Sequence, residues 1–199
     1  MNRASRIAAT ALAVTALAFA ATASATTVLK LSLKDLAKKS DAIVLARVED
    51  QVSRYEANKE IFTYYTLRVL EPVKGAKNEQ SIVVRQIGGI VDNIASVVPG
   101  TPRFQNGEEV VVFLTQKDAT GYPWVMGLQQ GKYTVFQDEK GQKRVRNELG
   151  GVELLSLGGK AAEGVKSAPD MPLQAFLDGI KTDLRESGKV EVDPTPPTE

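Results

Sequence analysis

Apolar and polar positions alternate with a period of two over much of the chain, and this pattern predicts strands. Apolar residues occupy both alternating sets over 43–48, as in a buried central strand. The alternation runs longer over 60–71, which favours a bent strand in a curved sheet. Shorter runs predict further strands at 81–87, 110–114, 124–128, 132–136 and 143–146. The pattern as a whole predicts a mainly β domain.

A helical period of three to four residues occurs near both ends of this region. Ser32 and Asp35 have the spacing of a capping box, so we expect a short helix over 33–39. A second helix is expected over 170–187, where apolar residues share one face and Asp170 precedes them as a cap. Its apolar face consists of Leu173, Phe176, Leu177, Ile180 and Leu184.

Residues 88–107 interrupt the alternation with four glycines and two prolines. The segment is longer than an ordinary connection, and long loops are often functional, so it is the main candidate binding segment. Gly88 and Gly89 open it, and Arg103 and Phe104 are its expected exposed contacts. An alternative is that Phe104 plugs the end of the barrel and that the aliphatic side chains pack over the core. These side chains are Ile90, Ile94, Val97 and Val98.

The order of the elements resembles an OB fold, which consists of a three-stranded meander, a long connection and further strands. Four segments of the chain also resemble a family of bacterial secreted proteins without an established activity. These segments are LKDLAKKSDAIVLARVEDQ, YTLRVLEPVKG, GEEVVVFL and GLQQGKYTV. More distantly, SDAIVLARV followed by YTLRVLEPVKG is similar to tissue inhibitors of metalloproteinases and netrin-like domains. These resemblances imply an OB-like five-stranded Greek-key barrel with an extra hairpin, a short N-terminal helix and a C-terminal helix.

The start of the chain has the pattern of a secretory signal peptide. Arg3 and Arg6 precede an apolar run that ends in Ala23-Ser24-Ala25, a small-x-small cleavage site. We therefore expect cleavage after Ala25, a periplasmic or extracellular protein, and no membrane span in the mature chain. The expected mature protein comprises a domain over 26–149, a linker over 150–169, the C-terminal helix, and a disordered tail over 188–199.

The composition limits the kinds of catalysis and metal binding that are open to the mature chain. It has no cysteine and no histidine, which excludes Ser-His-Asp and Cys-His catalysis and the usual ligands of zinc, iron and copper. No recognised catalytic or cofactor motif is present, so neither a cofactor nor a metal is expected. The chain has 25 basic and 24 acidic residues, and this near-neutral balance argues against a nucleic-acid partner.

These observations favour an exported, non-enzymatic binding module that engages or inhibits a secreted protease or another envelope protein. The expected contacts are the 88–107 segment and the new N-terminus, Thr26 and Thr27. Two alternatives stay open at the level of sequence. One is a hydrolase that uses a pair of carboxylates, and the other is an envelope structural or assembly component with an exposed apolar patch. The sequence does not indicate an oligomeric state.

Overall fold

A computed structural model describes residues 26–149, 152–155 and 170–188. The predicted signal peptide and the tail beyond residue 188 lie outside the described residues, as does most of the predicted linker. The helices are α1 (Leu33–Lys39) and α2 (Leu173–Glu186), and a 3₁₀ helix spans Leu128–Gly131. The strands are β1 (Thr26–Leu29), β2 (Ala42–Tyr55), β3 (Ile61–Lys74), β4 (Ser81–Ile87), β5 (Gly89–Val91), β6 (Ile94–Ser96), β7 (Glu109–Leu114), β8 (Lys132–Gln137), β9 (Lys143–Arg146), β10 (Val152–Leu155) and β11 (Met171–Pro172).

Seven strands form one antiparallel sheet, in the order β11-β9-β8-β7-β2-β3-β4. The fold is therefore mainly β, with two helices, as the alternating pattern predicted. Strands β2 and β3 have 14 residues each and form the long central hairpin. Their register shifts at several points, and such irregularities increase the bend and twist of a strand pair. The remaining strands form two small sheets, β5 with β6 and β1 with β10.

The closed barrel expected from the OB resemblance is not observed, because the sheet is open between β4 and β11. A loop residue occupies part of the free edge of β4, where the Arg85 N–H donates to the Pro123 carbonyl at 3.2 Å. At the other side, β8 continues through a hairpin into β9 and then pairs with β11, which carries the sheet onward. Neither edge therefore closes onto the other.

Both faces of the sheet are buried, which explains why the apolar residues of β2 occupy both alternating sets. Ile43 and Leu45 point to one face, which α1 and α2 cover. Val44, Ala46 and Val48 point to the other face, whose core also contains Phe104 and Val125 from the connecting segments. The remaining members of this second core are Tyr65, Leu67, Ile82, Val84, Val110, Val112 and Leu114.

The predicted capping box begins α1. The Ser32 hydroxyl accepts a hydrogen bond from the Asp35 N–H at 3.0 Å, and the Asp35 carboxylate accepts one from the Ser32 N–H. These hydrogen bonds lower the pKa of Asp35. At the other end of α1, the Lys74 ammonium donates to the Ala37 carbonyl at 2.9 Å and also to the carbonyl of Ser40. Both ends of this short helix are thus fixed by side chains.

Helix α2 packs its predicted apolar face against the sheet, and all five predicted side chains are buried. Its start differs from the expectation, since Pro172 occupies the N-cap position. Asp170 instead accepts hydrogen bonds from Arg144, which ties the start of the helix to β9. Gly188, with a φ of 64°, follows the helix and donates to the Arg185 carbonyl.

The strand predicted over 124–128 is reduced to a single bridge between Val125 and Leu114. Gly127 and Leu128 have φ angles of 67° and 58°, and this left-handed backbone ends the pairing with β7. The chain then enters the 3₁₀ helix. The apolar run of this segment therefore does not form a strand, although Val125 is buried and the other four residues are partly buried.

Candidate functional site

The segment 88–107 contains a short β-hairpin rather than an irregular loop. Strands β5 and β6 pair over three residues each, from Gly89 opposite Ser96 to Val91 opposite Ile94. Asp92 at the tip has a φ of 51°, a left-handed conformation that Asp tolerates better than most residues. The hairpin projects its tip away from the seven-stranded sheet, because Asp92, Asn93 and Ile94 are all exposed.

The aliphatic side chains of this hairpin are exposed, so the expectation that they pack over the core is wrong. Ile90, Ile94 and Val97 are 65%, 57% and 64% exposed, and Val98 is 36% exposed. They account for half of the large hydrophobic side chains that are exposed in the described part of the chain. Grouped exposed apolar side chains of this kind are typical of interaction surfaces. We call Ile90, Ile94 and Val97 the hairpin cluster.

The base of the hairpin lies directly on the ends of β2 and β3. The Ser53 and Thr63 hydroxyl oxygens are 2.8 Å apart, and the Thr63 hydroxyl donates to the Gly88 carbonyl at 2.7 Å. Gly89 has a φ of 145°, and a Cβ at this position would overlap both hydroxyl oxygens. Gly88 is buried, with a φ of 94°. The two glycines thus allow the backbone to approach the sheet closely.

A β-turn follows the hairpin and attaches it to the rest of the molecule. Pro99 and Gly100 occupy the central positions, Gly100 has a φ of 82°, and the Thr101 N–H donates to the Val98 carbonyl at 3.2 Å. This combination is typical of a type II turn. The Gln129 N–H donates to the Gly100 carbonyl at 3.0 Å, so the turn is held against the 3₁₀ helix.

Phe104 is buried rather than exposed, and it belongs to the second core, although the barrel end that the alternative expected it to plug is not formed. Its side chain is 3% exposed, and its ring centroid lies 4.8 Å from that of Tyr65. The Lys132 ammonium lies 4.9 Å from the ring and donates to the Arg103 carbonyl at 2.6 Å. The Arg103 side chain itself is exposed. Of this pair, only Arg103 is presented to solvent.

The six residues predicted as contacts fall into two places. Gly88, Gly89, Arg103 and Phe104 line one cavity of about 370 Å³ between the hairpin and the ends of β2 and β3. Thr26 and Thr27 instead pair with Val152 and Glu153 in the small parallel sheet. The structure therefore unites four of the six residues, and the binding role of all six stays a prediction.

A charged and aromatic cluster that the sequence analysis missed lies beside the free edge of the sheet. Arg85 donates to both oxygens of Glu56, at 2.8 and 2.6 Å, and its Nη1 lies 3.4 Å from Asp118. The Arg85 guanidinium also lies 3.7 Å from the centroid of the Phe62 ring. The Trp124 indole N–H donates to Asp118 at 2.7 Å. No local pattern signals this cluster, because its members come from separate segments.

These contacts lower the pKa of both carboxyl groups in the cluster. Hydrogen bonds from Arg85 and Tyr64 lower the pKa of Glu56. Hydrogen bonds from Thr120 and Trp124 hold the pKa of Asp118 well below its usual range. Both groups are therefore held as anions that pair with Arg85, an arrangement that fixes the 115–123 connection to the sheet.

No family model matches the chain, and no curated protein is significantly similar to it. The expected family resemblances therefore stay predictions. Within the described residues, no helix is long and apolar enough to cross a membrane, and no group of three acidic side chains is placed to hold a metal ion.

Proposed function

We propose that this protein is an exported binding module that engages another protein through the hairpin cluster. The observation that carries the proposal is the exposure of Ile90, Ile94 and Val97 on a hairpin whose base is fixed to the sheet. Leaving three aliphatic side chains in water forgoes about 1.5 to 3 kcal/mol each that burial would supply. A partner surface that covers them would recover part of this free energy.

The rigid attachment of the hairpin supports the proposal. Gly89 lies on Ser53 and Thr63, and Gly100 is bonded to Gln129, so both ends of the projecting segment are fixed. A preformed surface loses less conformational entropy on binding than a mobile loop does. The hairpin is thus suited to present its aliphatic side chains in one geometry.

The hydrolase alternative receives less support. A carboxylate pair that cleaves glycosidic bonds needs one member whose pKa is raised, so that it can donate a proton. The acidic pair around Arg85 has the opposite character, since the pKa values of Glu56 and Asp118 are both lowered. Both carboxylates are also engaged by Arg85 in a charge-assisted pairing.

The strand order supports an OB-like ancestry for the domain without a closed barrel. We infer that β2, β3, β4, β7 and β8 correspond to the five OB strands. In this arrangement β2 begins a three-stranded meander and also pairs with β7, which pairs in turn with β8. The hairpin cluster then belongs to the long connection between the third and fourth OB strands.

The test is affinity capture from the periplasmic and secreted fractions of the source cell. A partner captured by the protein is purified, and its affinity is measured by calorimetry. An Ile94→Ser/Val97→Ser variant is expected to bind the partner about tenfold or more weakly, because two exposed side chains no longer contribute apolar burial. Replacement of the whole 88–107 segment is not suitable, since it would remove the buried Phe104.

The matched control is Leu70→Ser, which removes an aliphatic side chain that is also exposed but lies on β3. It is expected to bind the purified partner with unchanged affinity. Equal weakening by both variants, or by neither, would contradict a hairpin interface. Export is tested separately, because the secreted or periplasmic form should begin at Thr26 by N-terminal sequencing.

A further inference from the structure

The cavity at the base of the hairpin has a hydroxyl-lined inner wall. The Thr63 hydroxyl donates its single hydrogen to the Gly88 carbonyl. The Ser53 hydroxyl must therefore be the donor in the hydrogen bond between Ser53 and Thr63. Tyr65 is also buried in this wall. Burial raises the pKa of Tyr65, while hydrogen bonds with the Phe104 backbone and Thr63 oppose the rise. The wall is therefore polar and neutral.

One hydroxyl of the cavity has no partner. The Thr101 Oγ1 atom is buried and makes no hydrogen bond within the described residues. A buried polar group left unpaired destabilises the folded protein unless water or a ligand satisfies it. Gln86 adds a second such group at this end of the sheet. It lies directly across from Thr63, is 1% exposed, and its Nε2 also has no partner among the described residues.

An arginine without a partner stands at the mouth of the cavity. Within the described residues, the Arg103 side chain makes no ion pair or hydrogen bond, although it is close enough to lower the pKa of the Tyr65 hydroxyl. The nearby Glu108 is neutralised by Lys132, whose ammonium lies 2.8 Å from it. The mouth therefore carries one uncompensated positive charge.

The remaining wall of the cavity is apolar. Ile90 and Val98 form it together with the buried ring of Phe104. The cavity thus has hydroxyl groups on its inner wall, one cation at its mouth and aliphatic side chains on its remaining wall. This combination favours a ligand with one negative charge and a short apolar chain. A guanidinium also matches the two oxygens of a carboxylate, since it offers parallel N–H donors.

We propose that this cavity binds an aliphatic carboxylate, with its oxygens on the Arg103 guanidinium at the mouth and its alkyl chain against Ile90 and Val98. Two sources have this chemistry, a free short-chain carboxylic acid and the C-terminal residue of a peptide. Inorganic phosphate fits less well, because it has no alkyl chain to contact Ile90 and Val98. The cavity shares Ile90 with the hairpin cluster, whereas Ile94 and Val97 lie outside it, so substitutions at position 94 separate the two sites.

The test is an NMR titration of the ¹⁵N-labelled protein with 4-methylpentanoate, with its uncharged amide 4-methylpentanamide, and with inorganic phosphate. We expect saturable shifts of the backbone amides of Gly88, Gly89, Thr101 and Arg103 with the acid. Because a charge-assisted pairing is lost, the amide is expected to bind about tenfold more weakly than the acid. The tripeptide Gly-Gly-Leu, with a free or an amidated C-terminus, then distinguishes a peptide end from a free acid.

One variant places the carboxylate. Arg103→Gln is expected to weaken 4-methylpentanoate about tenfold, with the rest of the spectrum unchanged. Arg68→Gln is the control, because it removes an exposed positive charge elsewhere on the sheet, and it should leave the affinity unchanged. Equal affinity for acid and amide, tighter binding of phosphate, or full affinity in Arg103→Gln would overturn the proposal. Ile94→Ser should bind the acid normally, which separates this site from the protein interface.

Discussion

At the scale of single residues, Gly89 is the position where the backbone tolerates least change. Its φ of 145° lies in a region that side chains rarely adopt, and a Cβ would overlap the Ser53 and Thr63 hydroxyls. We predict that Gly89→Ala lowers the free energy of unfolding by about 1 to 3 kcal/mol or more. Urea unfolding followed by circular dichroism measures this change.

Gly141→Ala is the matched control for this prediction. Gly141 also has a positive φ, of 76°, but no atom of the described residues lies within 4 Å of a Cβ built there. Gly141→Ala should therefore lower the free energy of unfolding by only about 1 kcal/mol, the cost of the left-handed backbone for a residue with a Cβ. If both variants lost the same free energy, close approach of the hairpin to the sheet would not be what requires Gly89.

Asp118 is a second residue with a specific prediction. Its pKa is lower in the folded protein than in the unfolded chain, so its carboxylate stabilises the fold above about pH 4. That stability is lost as the pH falls below this value towards the folded pKa. We predict that Asp118→Asn destabilises the protein by about 1 to 2 kcal/mol at pH 7, and that the difference narrows by pH 2. Urea unfolding at both pH values tests this.

Asp92→Asn supplies the control for the Asp118 experiment. Asp92 lies at the exposed hairpin tip and has no side-chain hydrogen bond within the described residues, so little stability should change at pH 7. The stability difference between Asp118→Asn and the natural protein could instead stay constant from pH 7 to pH 2. That result would mean that the negative charge of Asp118 does not stabilise the Arg85 cluster. Neutral hydrogen bonds would then account for the loss.

At the scale of elements, Phe104 explains how the candidate binding segment, 88–107, is held. It belongs to the second core, where it packs against Tyr65 and beneath Lys132. We predict that Phe104→Ala lowers the free energy of unfolding by about 3 to 5 kcal/mol, as in other buried aromatic truncations. Phe136→Ala, at a half-buried position on β8, should lower the free energy of unfolding by clearly less. Equal losses in the two variants would contradict the role of Phe104 in holding this segment to the second core.

Elements with local signals were predictable from the sequence. The capping box of Ser32 and Asp35 depends only on neighbours along the chain, and the bounds of α1 agree with the prediction. The strand at 124–128 was not predictable in the same way. Its residues form a continuous apolar run, but the left-handed backbone at Gly127 ends the pairing, and an apolar run does not record that conformation.

The candidate site was predictable in position and not in detail. The glycines and prolines of 88–107 marked an unusual segment, and the four contact residues predicted in it all line one cavity. Which side chains face outwards depends on contacts with distant residues. Phe104 is buried because Tyr65 and Lys132 lie beside it, whereas Ile94 is exposed because no described residue covers the hairpin tip.

At the scale of the whole molecule, one sheet connects two cores. Ile180 in α2 contributes to the first core and Leu67 in β3 to the second, and both are fully buried. Because β2 contributes to both cores, we expect them to unfold together. Ile180→Ala and Leu67→Ala should each cost about 2 to 5 kcal/mol.

Two probes test whether the cores unfold as one unit. Fluorescence of Trp124, the single tryptophan, reports on the neighbourhood of Phe62 and Arg85, and far-ultraviolet circular dichroism reports on the whole sheet. The two unfolding curves should coincide in the natural protein and in both variants. Separate transitions would mean that the helix-covered core unfolds independently.

The central claim is that the hairpin cluster contacts a protein partner in the cell. Site-specific photocrosslinking tests it most directly, with a benzoylphenylalanine placed at Ile94 in one strain and at Leu70 in another. Our account predicts a discrete protein adduct from position 94 that position 70 does not give. No adduct at position 94, or the same adducts from both positions, would contradict it.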